Sequence, residues 1–106
     1  DVHGIAHITG GGFIENIPRI LSDGLSAQIK RGTWDVLPVF TELMRLGGLE
    51  DRQAYNTFNM GIGMVFAVAP EEADKLVASL EESGEKAYRI GQVAKTDEDG
   101  ERLVLL

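Results

Sequence analysis

The sequence predicts one α+β domain, and three observations support that prediction. The chain has 106 residues, of which 43% are hydrophobic and 25% are charged, as expected for one globular domain rather than a disordered chain. Short β-branched segments alternate with segments whose apolar residues recur at helical spacing. The predicted order, β-α-β-α-α-β-α-β-β, indicates a mixed sheet with helices packed on one face.

Five strands and four helices follow from these patterns. The strands are predicted at residues 5–9, 25–29, 62–69, 87–93 and 102–106. The helices are predicted at residues 13–21, 36–46, 50–57 and 70–83. The sequence contains no cysteine, which excludes disulfides, thiolate metal sites and a cysteine nucleophile.

In the first half of the chain, glycine and proline limit the predicted elements. The strand at residues 5–9 is followed by three consecutive glycines, which indicate a glycine-rich loop. Pro18 lies inside the next apolar pattern and limits it to a short helix. Asp35 is placed to cap the helix that follows it, and Gly47 and Gly48 end that helix.

In the second half, a long apolar run is the most prominent feature. Residues 62–69 are nearly all apolar, which predicts a strand buried on both faces. Pro70 then suits the first turn of a helix, and Gly84 ends it. Residues 97–100 have the composition of a turn, so the last two strands are expected to form a hairpin.

The charge distribution bears on which ligands the chain binds. The formal net charge is −7, which is unfavourable for a protein that binds nucleic acid through a basic face. Residues 1–49 contribute 4 − 5 = −1, whereas residues 50–106 contribute 6 − 12 = −6. The first part also holds eight of the thirteen glycines, so an anionic ligand meets least repulsion there. No apolar run approaches the length of a membrane span, so neither nucleic acid nor membrane is an expected partner.

The glycine loop is the first candidate site. Gly10, Gly11 and Gly12 allow positive φ and a close approach of ligand, and successive backbone N–H groups can form a nest for an anion. Thr9 adds a hydroxyl, and His7 is able to donate or accept a proton. The alternative interpretation is a tight turn between a strand and a helix. No Lys-Ser or Lys-Thr pair follows, so the loop is not a Walker motif.

Polar residues near the glycines form two further candidate groups. Asn16 and Arg19 follow the loop within two helical turns, where Arg19 is suited to a phosphate and Asn16 to an amide or a hydroxyl. The alternative is a capped and solvated helix start. Asn59 precedes the apolar strand and needs a polar partner, which is either a backbone group or a ligand.

Four segments together resemble one family. Residues 7–12, 15–19, 58–64 and 84–91 are similar, in that order, to the C-terminal domain of the phosphoribosylformylglycinamidine cyclo-ligase (aminoimidazole ribonucleotide synthetase) family. The resemblance covers nearly the whole chain. It implies an enzyme of purine biosynthesis that closes the ring of formylglycinamidine ribonucleotide, giving aminoimidazole ribonucleotide, ADP and phosphate.

The resemblance also implies cofactors, partners and a cellular location. In the family, ATP and Mg²⁺ are bound mainly by an N-terminal domain, which also forms most of a homodimer interface in a cytoplasmic enzyme. That domain is absent from residues 1–106, and the first strand and helices of the C-terminal domain are also expected to be missing. We therefore expect the chain to be part of a domain that does not catalyse ring closure alone and that self-associates through an exposed sheet edge.

The resemblance assigns roles to the candidate residues. Thr9 and Gly10–Gly12 are expected to bind a phosphate of the substrate or of the nucleotide. His7 is the expected proton-transfer or substrate-orienting group, and Asn16, Arg19 and Asn59 complete or brace the pocket. No metal ligand is expected in this chain.

Two alternatives remain at this stage. One is a related ATP-dependent enzyme, such as formylglycinamide ribonucleotide amidotransferase or a kinase that forms thiamine phosphate or selenophosphate. The other is a non-catalytic ligand-binding module of the ferredoxin-like kind, which leaves both glycine-containing motifs unexplained.

Overall fold

A computed structural model describes residues 2–96 and 100–106 and contains the predicted elements in the predicted order. The strands are β1 (Val2–His7), β2 (Leu25–Ile29), β3 (Met64–Val68), β4 (Gly91–Lys95) and β5 (Leu103–Leu105). The helices are α1 (Gly12–Asn16), α2 (Pro38–Gly47), α3 (Asp51–Thr57) and α4 (Pro70–Glu82), with a 3-10 helix at Pro18–Ile20. Pro18 shortens α1 as expected, because its ring disfavours continuation of the α-helix.

The strands form two sheets in the described residues. β1 pairs antiparallel with β3, and a second sheet has the order β4-β2-β5. β2 is antiparallel to β4 and parallel to β5, so this second sheet is mixed. The α+β class is confirmed, and the single sheet expected from the sequence is divided in two.

The predicted hairpin of the last two strands is wrong. β2 lies between β4 and β5, and Ala27 faces Val93 on one side and Leu103 on the other. Ala27 and Leu103 are both buried, so the parallel pairing of β5 with β2 places these apolar side chains out of contact with water. The turn predicted at residues 97–100 lies outside the described residues except for Gly100.

Two other predictions about individual elements are also wrong. Asp35 does not cap α2, because the helix begins at Pro38 with Leu37 at the N-cap position. β3 is not buried on both faces, since Met64 is 54% exposed and the other residues of the strand are half-buried. Among the described residues β3 pairs with β1 alone, so its other edge is left open.

The core is centred on three aromatic rings next to α1 and α3. The ring centroid of Phe13 lies 5.7 Å from that of Trp34 and 5.4 Å from that of Tyr55. Trp34 and Tyr55 are 6.3 Å apart and meet edge to face, a favourable arrangement for aromatic rings. The Trp34 indole also donates to the Met60 carbonyl at 3.0 Å. The aromatic cluster adjoins the loop that joins β1 to α1, because Phe13 is in the first turn of α1.

The region around α4 is less closely packed than this core. α4 has no fully buried residue, and its apolar side borders a groove of about 390 Å³ that it shares with β2 and β3. We call this space the α4 groove. The apolar residues of α4 that border it are Ala73, Leu76, Val77 and Leu80.

Candidate functional site

The glycine loop adopts the conformation that its composition predicts. Gly11 has a φ of 94° and Gly12 a φ of 59°, both in the left-handed region that favours glycine. The Gly12 N–H donates to the Thr9 carbonyl at 2.9 Å, which closes a turn at the start of α1. Thr9 and Gly10 are exposed at the tip of this turn.

The three glycines differ in what an added Cβ would meet. A Cβ at Gly12 would lie 2.1 Å from the Tyr55 carbonyl oxygen and 2.7 Å from that of Phe58, so only glycine lets α1 approach α3 this closely. A Cβ at Gly11 would meet the side chain of Glu15. A Cβ at Gly10 would have nothing within 4 Å, so the backbone there is open to a ligand.

The buried Asn16 side chain bonds to the loop from inside. Asn16 is 4% exposed, and its Nδ2 donates to the carbonyls of Gly12 at 2.8 Å, Thr9 at 3.1 Å and Gly10 at 3.3 Å. Its Oδ1 accepts from Arg19 Nη1 at 3.0 Å. Both polar atoms of the amide are therefore used within the protein, which favours a bracing role over direct ligand contact.

Arg19 and His7 lie on either side of the loop along the chain, and both are exposed. Arg19 is in the 3-10 helix, and its contact with Asn16 uses only part of its guanidinium. His7 is the last residue of β1 and faces Met64 in the β1–β3 pairing. The Arg19 guanidinium therefore keeps further donors, and the His7 imidazole is open to solvent.

Asn59 lies in a second loop that is adjacent to the first. The Ile8 N–H donates to the Gly63 carbonyl at 2.9 Å, which joins the two loops through the backbone. Asn59 Oδ1 accepts from the Gly61 N–H at 2.8 Å, and Met60 between them has a positive φ of 53°. The partner of Asn59 in the structure is thus a backbone group, the first of the two alternatives raised by the sequence.

Two further polar side chains, those of Glu15 and Asn56, meet at the loop. Neither was among the predicted site residues. In the orientation that satisfies its neighbours, the Asn56 amide donates to Glu15 Oε2 at 3.0 Å and to the Gly11 carbonyl at 3.1 Å. This contact ties α3 to α1 and holds a carboxylate beside the loop. No local pattern could have identified it, because the two residues are separated by three elements in the chain.

The ionisation of Tyr55 is affected by its position beneath the loop. Burial raises the pKa of the Tyr55 hydroxyl above its usual value, and the nearby Asp51 carboxylate raises it further. The phenol therefore stays neutral across the physiological pH range and adds no negative charge under the candidate anion site.

Neither a cluster of metal ligands nor a membrane-spanning helix is present in the described residues. Among residues 2–96 and 100–106, no group of three His, Asp or Glu side chains is close enough together to hold a metal ion. In the same residues, no helix is long and apolar enough to cross a membrane.

Comparison with known proteins gives a consistent result. Residues 1–104 match the family model described as AIR synthase related protein, C-terminal domain. The chain is 56% identical over 95 residues to a phosphoribosylformylglycinamidine cyclo-ligase of Bacillus mycoides (strain KBAB4), covering 90% of this chain and 28% of the relative. It is 55% identical over 100 residues to a protein of the same name from Acetivibrio thermocellus, covering 94% of this chain and 29% of the relative.

A third relative of the same name, from Bifidobacterium longum subsp. infantis, is 51% identical over 104 residues, which cover 98% of this chain and 30% of the relative. The chain thus spans less than one third of the length of the curated relatives that it matches.

Proposed function

This chain belongs to the family of C-terminal domains of AIR synthase related proteins, and from that membership we propose that it forms part of a phosphoribosylformylglycinamidine cyclo-ligase. The proposed reaction belongs to purine biosynthesis. The γ-phosphoryl group of ATP is transferred to the formamide oxygen of formylglycinamidine ribonucleotide. A nitrogen of the amidine side then attacks the activated carbon, and phosphate leaves with that oxygen as the imidazole ring closes.

The observation that supports a role for this chain is the exposed glycine loop. Among the described residues, the N–H groups of Gly10 and Gly11 donate to no protein acceptor. Two free N–H groups suit a phosphate, which has several acceptor oxygens and negative charge, and the exposed Arg19 in the following 3-10 helix adds a positive charge near the loop in the chain. We assign to Thr9, Gly10 and Gly11 the binding of that phosphate, and to Gly12 the turn that presents it.

The other candidate residues have supporting roles in this proposal. Arg19 binds the phosphate from the side, and Asn59 holds the shape of the adjacent loop. His7, exposed at the end of β1, orients the substrate or transfers a proton.

The nucleotide and metal are assigned to another part of the enzyme. The chain spans less than one third of its curated relatives, and we assign ATP and Mg²⁺ mainly to an N-terminal domain outside residues 1–106. The same domain is proposed to form most of a homodimer interface, in a cytoplasmic enzyme that binds neither nucleic acid nor membrane. Phosphoryl transfer depends mainly on positioning and charge stabilisation, so the chain contributes by holding one phosphate in place.

Binding to the isotope-labelled chain tests this proposal. Ribose 5-phosphate and ADP are added separately at millimolar concentration while the amide resonances of Gly10 and Gly11 are followed by NMR. We expect one of the two ligands to shift both resonances, and Arg19→Ala to weaken that binding by about tenfold.

The stronger ligand identifies which phosphate the loop binds. Lys30→Ala, which removes a positive charge outside the site, is the matched control and should leave the affinity within about twofold. The proposal is wrong if neither ligand shifts the two glycine resonances, or if both charge variants weaken binding equally.

A further inference from the structure

The orientation of the peptide groups in the glycine loop has an identifiable cause. The loop peptides are trans, and in a planar trans peptide group the carbonyl and the N–H point in opposite directions. The Thr9 carbonyl shares its peptide group with the Gly10 N–H, and the Gly10 carbonyl shares its group with the Gly11 N–H. Whatever fixes these two carbonyls therefore also fixes the two free N–H groups.

One buried side chain donates to both carbonyls, and the Gly12 N–H also donates to the Thr9 carbonyl at 2.9 Å. Asn16 Nδ2 lies 3.1 Å from the Thr9 oxygen and 3.3 Å from the Gly10 oxygen, on the inner side of the loop. The N–H groups of Gly10 and Gly11 must then point away from Asn16, toward the exposed side of the loop. Without the Asn16 donor, the Thr9 carbonyl still accepts from the Gly12 N–H, but the Gly10 carbonyl has no other donor among the described residues. The peptide group between Gly10 and Gly11 is then free to rotate, because glycine has no Cβ to restrict it.

Asn16 itself is held so that its amide cannot turn over. The Arg19 guanidinium donates to Oδ1 at 3.0 Å, which directs the oxygen toward Arg19 and the nitrogen toward the loop. A third bond, from Nδ2 to the Gly12 carbonyl at 2.8 Å, joins the side chain to its own helix. The amide is 4% exposed and has these protein partners on both atoms.

We propose that Asn16 is the positioning residue of the phosphate site: it turns the Thr9 and Gly10 carbonyls inward and thereby presents the Gly10 and Gly11 N–H groups to the ligand. The ligand class rests on the proposed function. Arg19 has two effects in this arrangement, since it contacts the phosphate and also fixes the amide of Asn16. Asn16 acts only through the loop and does not touch the ligand.

The test uses Asn16→Asp, which keeps the size of the side chain and an acceptor for Arg19 but replaces the donor with a second acceptor. The probe is inorganic phosphate, and the readouts are its Kd and the shifts of the Gly10 and Gly11 amide resonances. We expect Kd to rise by about tenfold or more, and the two glycine shifts to be lost. Asn16→Ala should give the same result.

A control separates positioning from general loss of stability. Ile29→Val removes one methylene from the core in β2, a strand outside the loop, and should lower the melting temperature without changing the phosphate affinity. Normal glycine shifts in a folded Asn16→Asp chain would overturn the proposal. Absence of phosphate binding by the unaltered chain would instead contradict the proposed function of the loop.

If both Asn16 variants unfold, the unaltered chain decides the question. Hydrogen exchange of the Asn16 Nδ2 protons is measured with and without phosphate. Protection that increases with phosphate supports the proposal, because binding would stabilise the same loop conformation. Rapid exchange under both conditions overturns it.

Discussion

The glycine loop with α1 and α3 differs from the region around α4 in how closely its atoms are packed. Near the loop, Phe13 is completely buried, and a single added carbon at Gly12 would overlap backbone atoms of α3. By contrast, α4 itself has no fully buried residue, and the α4 groove remains between the helix and the strands. The candidate site is thus built on the close-packed region, where a loop is held in one conformation most effectively.

The largest expected effect tests the close approach of α1 and α3. Gly12→Ala should lower the free energy of unfolding by about 3–5 kcal/mol, because the Cβ meets the Tyr55 carbonyl and the φ is positive. Urea denaturation measures the change. Gly10→Ala is the control, since nothing lies within 4 Å of its Cβ, and it should stay within about 0.5 kcal/mol. Equal effects of the two substitutions would contradict the structural description of the loop.

The next effect compares the two regions directly. Phe13→Ala should cost about 3–5 kcal/mol, since it empties the centre of the aromatic cluster. Leu76→Ala, on the side of α4 that borders the α4 groove, should cost only about 1 kcal/mol because its side chain is half-buried. Both are measured by urea denaturation. A cost for Leu76→Ala as large as that for Phe13→Ala would mean that the groove is closed in solution.

The smallest expected effect is the pH dependence that Tyr55, in the close-packed region, gives to the free energy of unfolding. Burial raises the pKa of Tyr55, so above pH 10 the unfolded chain releases this proton before the folded chain does. The contribution of Tyr55 to stability is therefore constant below that pH and decreases as the pH rises through the folded value. Tyr55→Phe lacks this decrease.

Unfolding curves of the two proteins, measured from neutral pH upward, check this prediction. The difference in free energy of unfolding between the original protein and Tyr55→Phe should be constant up to about pH 10 and then shift in favour of the variant. A constant difference over the whole range would show that the hydroxyl is accessible to water in the folded state.

Local patterns in the sequence predict much of the fold but not its strand pairing. β2 and α4 were predicted at nearly their observed limits, because alternation, Pro70 and a terminal glycine are all local signals. The position of β5 beside β2 was not predicted, since parallel pairing depends on residues far apart in the chain. The start of α2 was misplaced because Pro38, rather than Asp35, sets its first turn.

The candidate site shows the same division between local and distant information. The conformation of Gly11 and Gly12 follows from their composition. The bonds from Asn16 to three carbonyls require the loop to fold back on α1, and the contact of Asn56 with Glu15 requires α3 to pack against α1. Neither can be derived from spacing along the chain.

The central position of β2 has a consequence for how the protein is made. Ala27, Gln28 and Ile29 pair with β4 and with β5, both of which follow β2 in the chain. During synthesis β2 emerges from the ribosome before both of its partner strands, and its three-stranded sheet cannot be completed until residues 103–105 have also emerged. A nascent chain therefore exposes both edges of β2 until β4 emerges, a period in which it is vulnerable to aggregation.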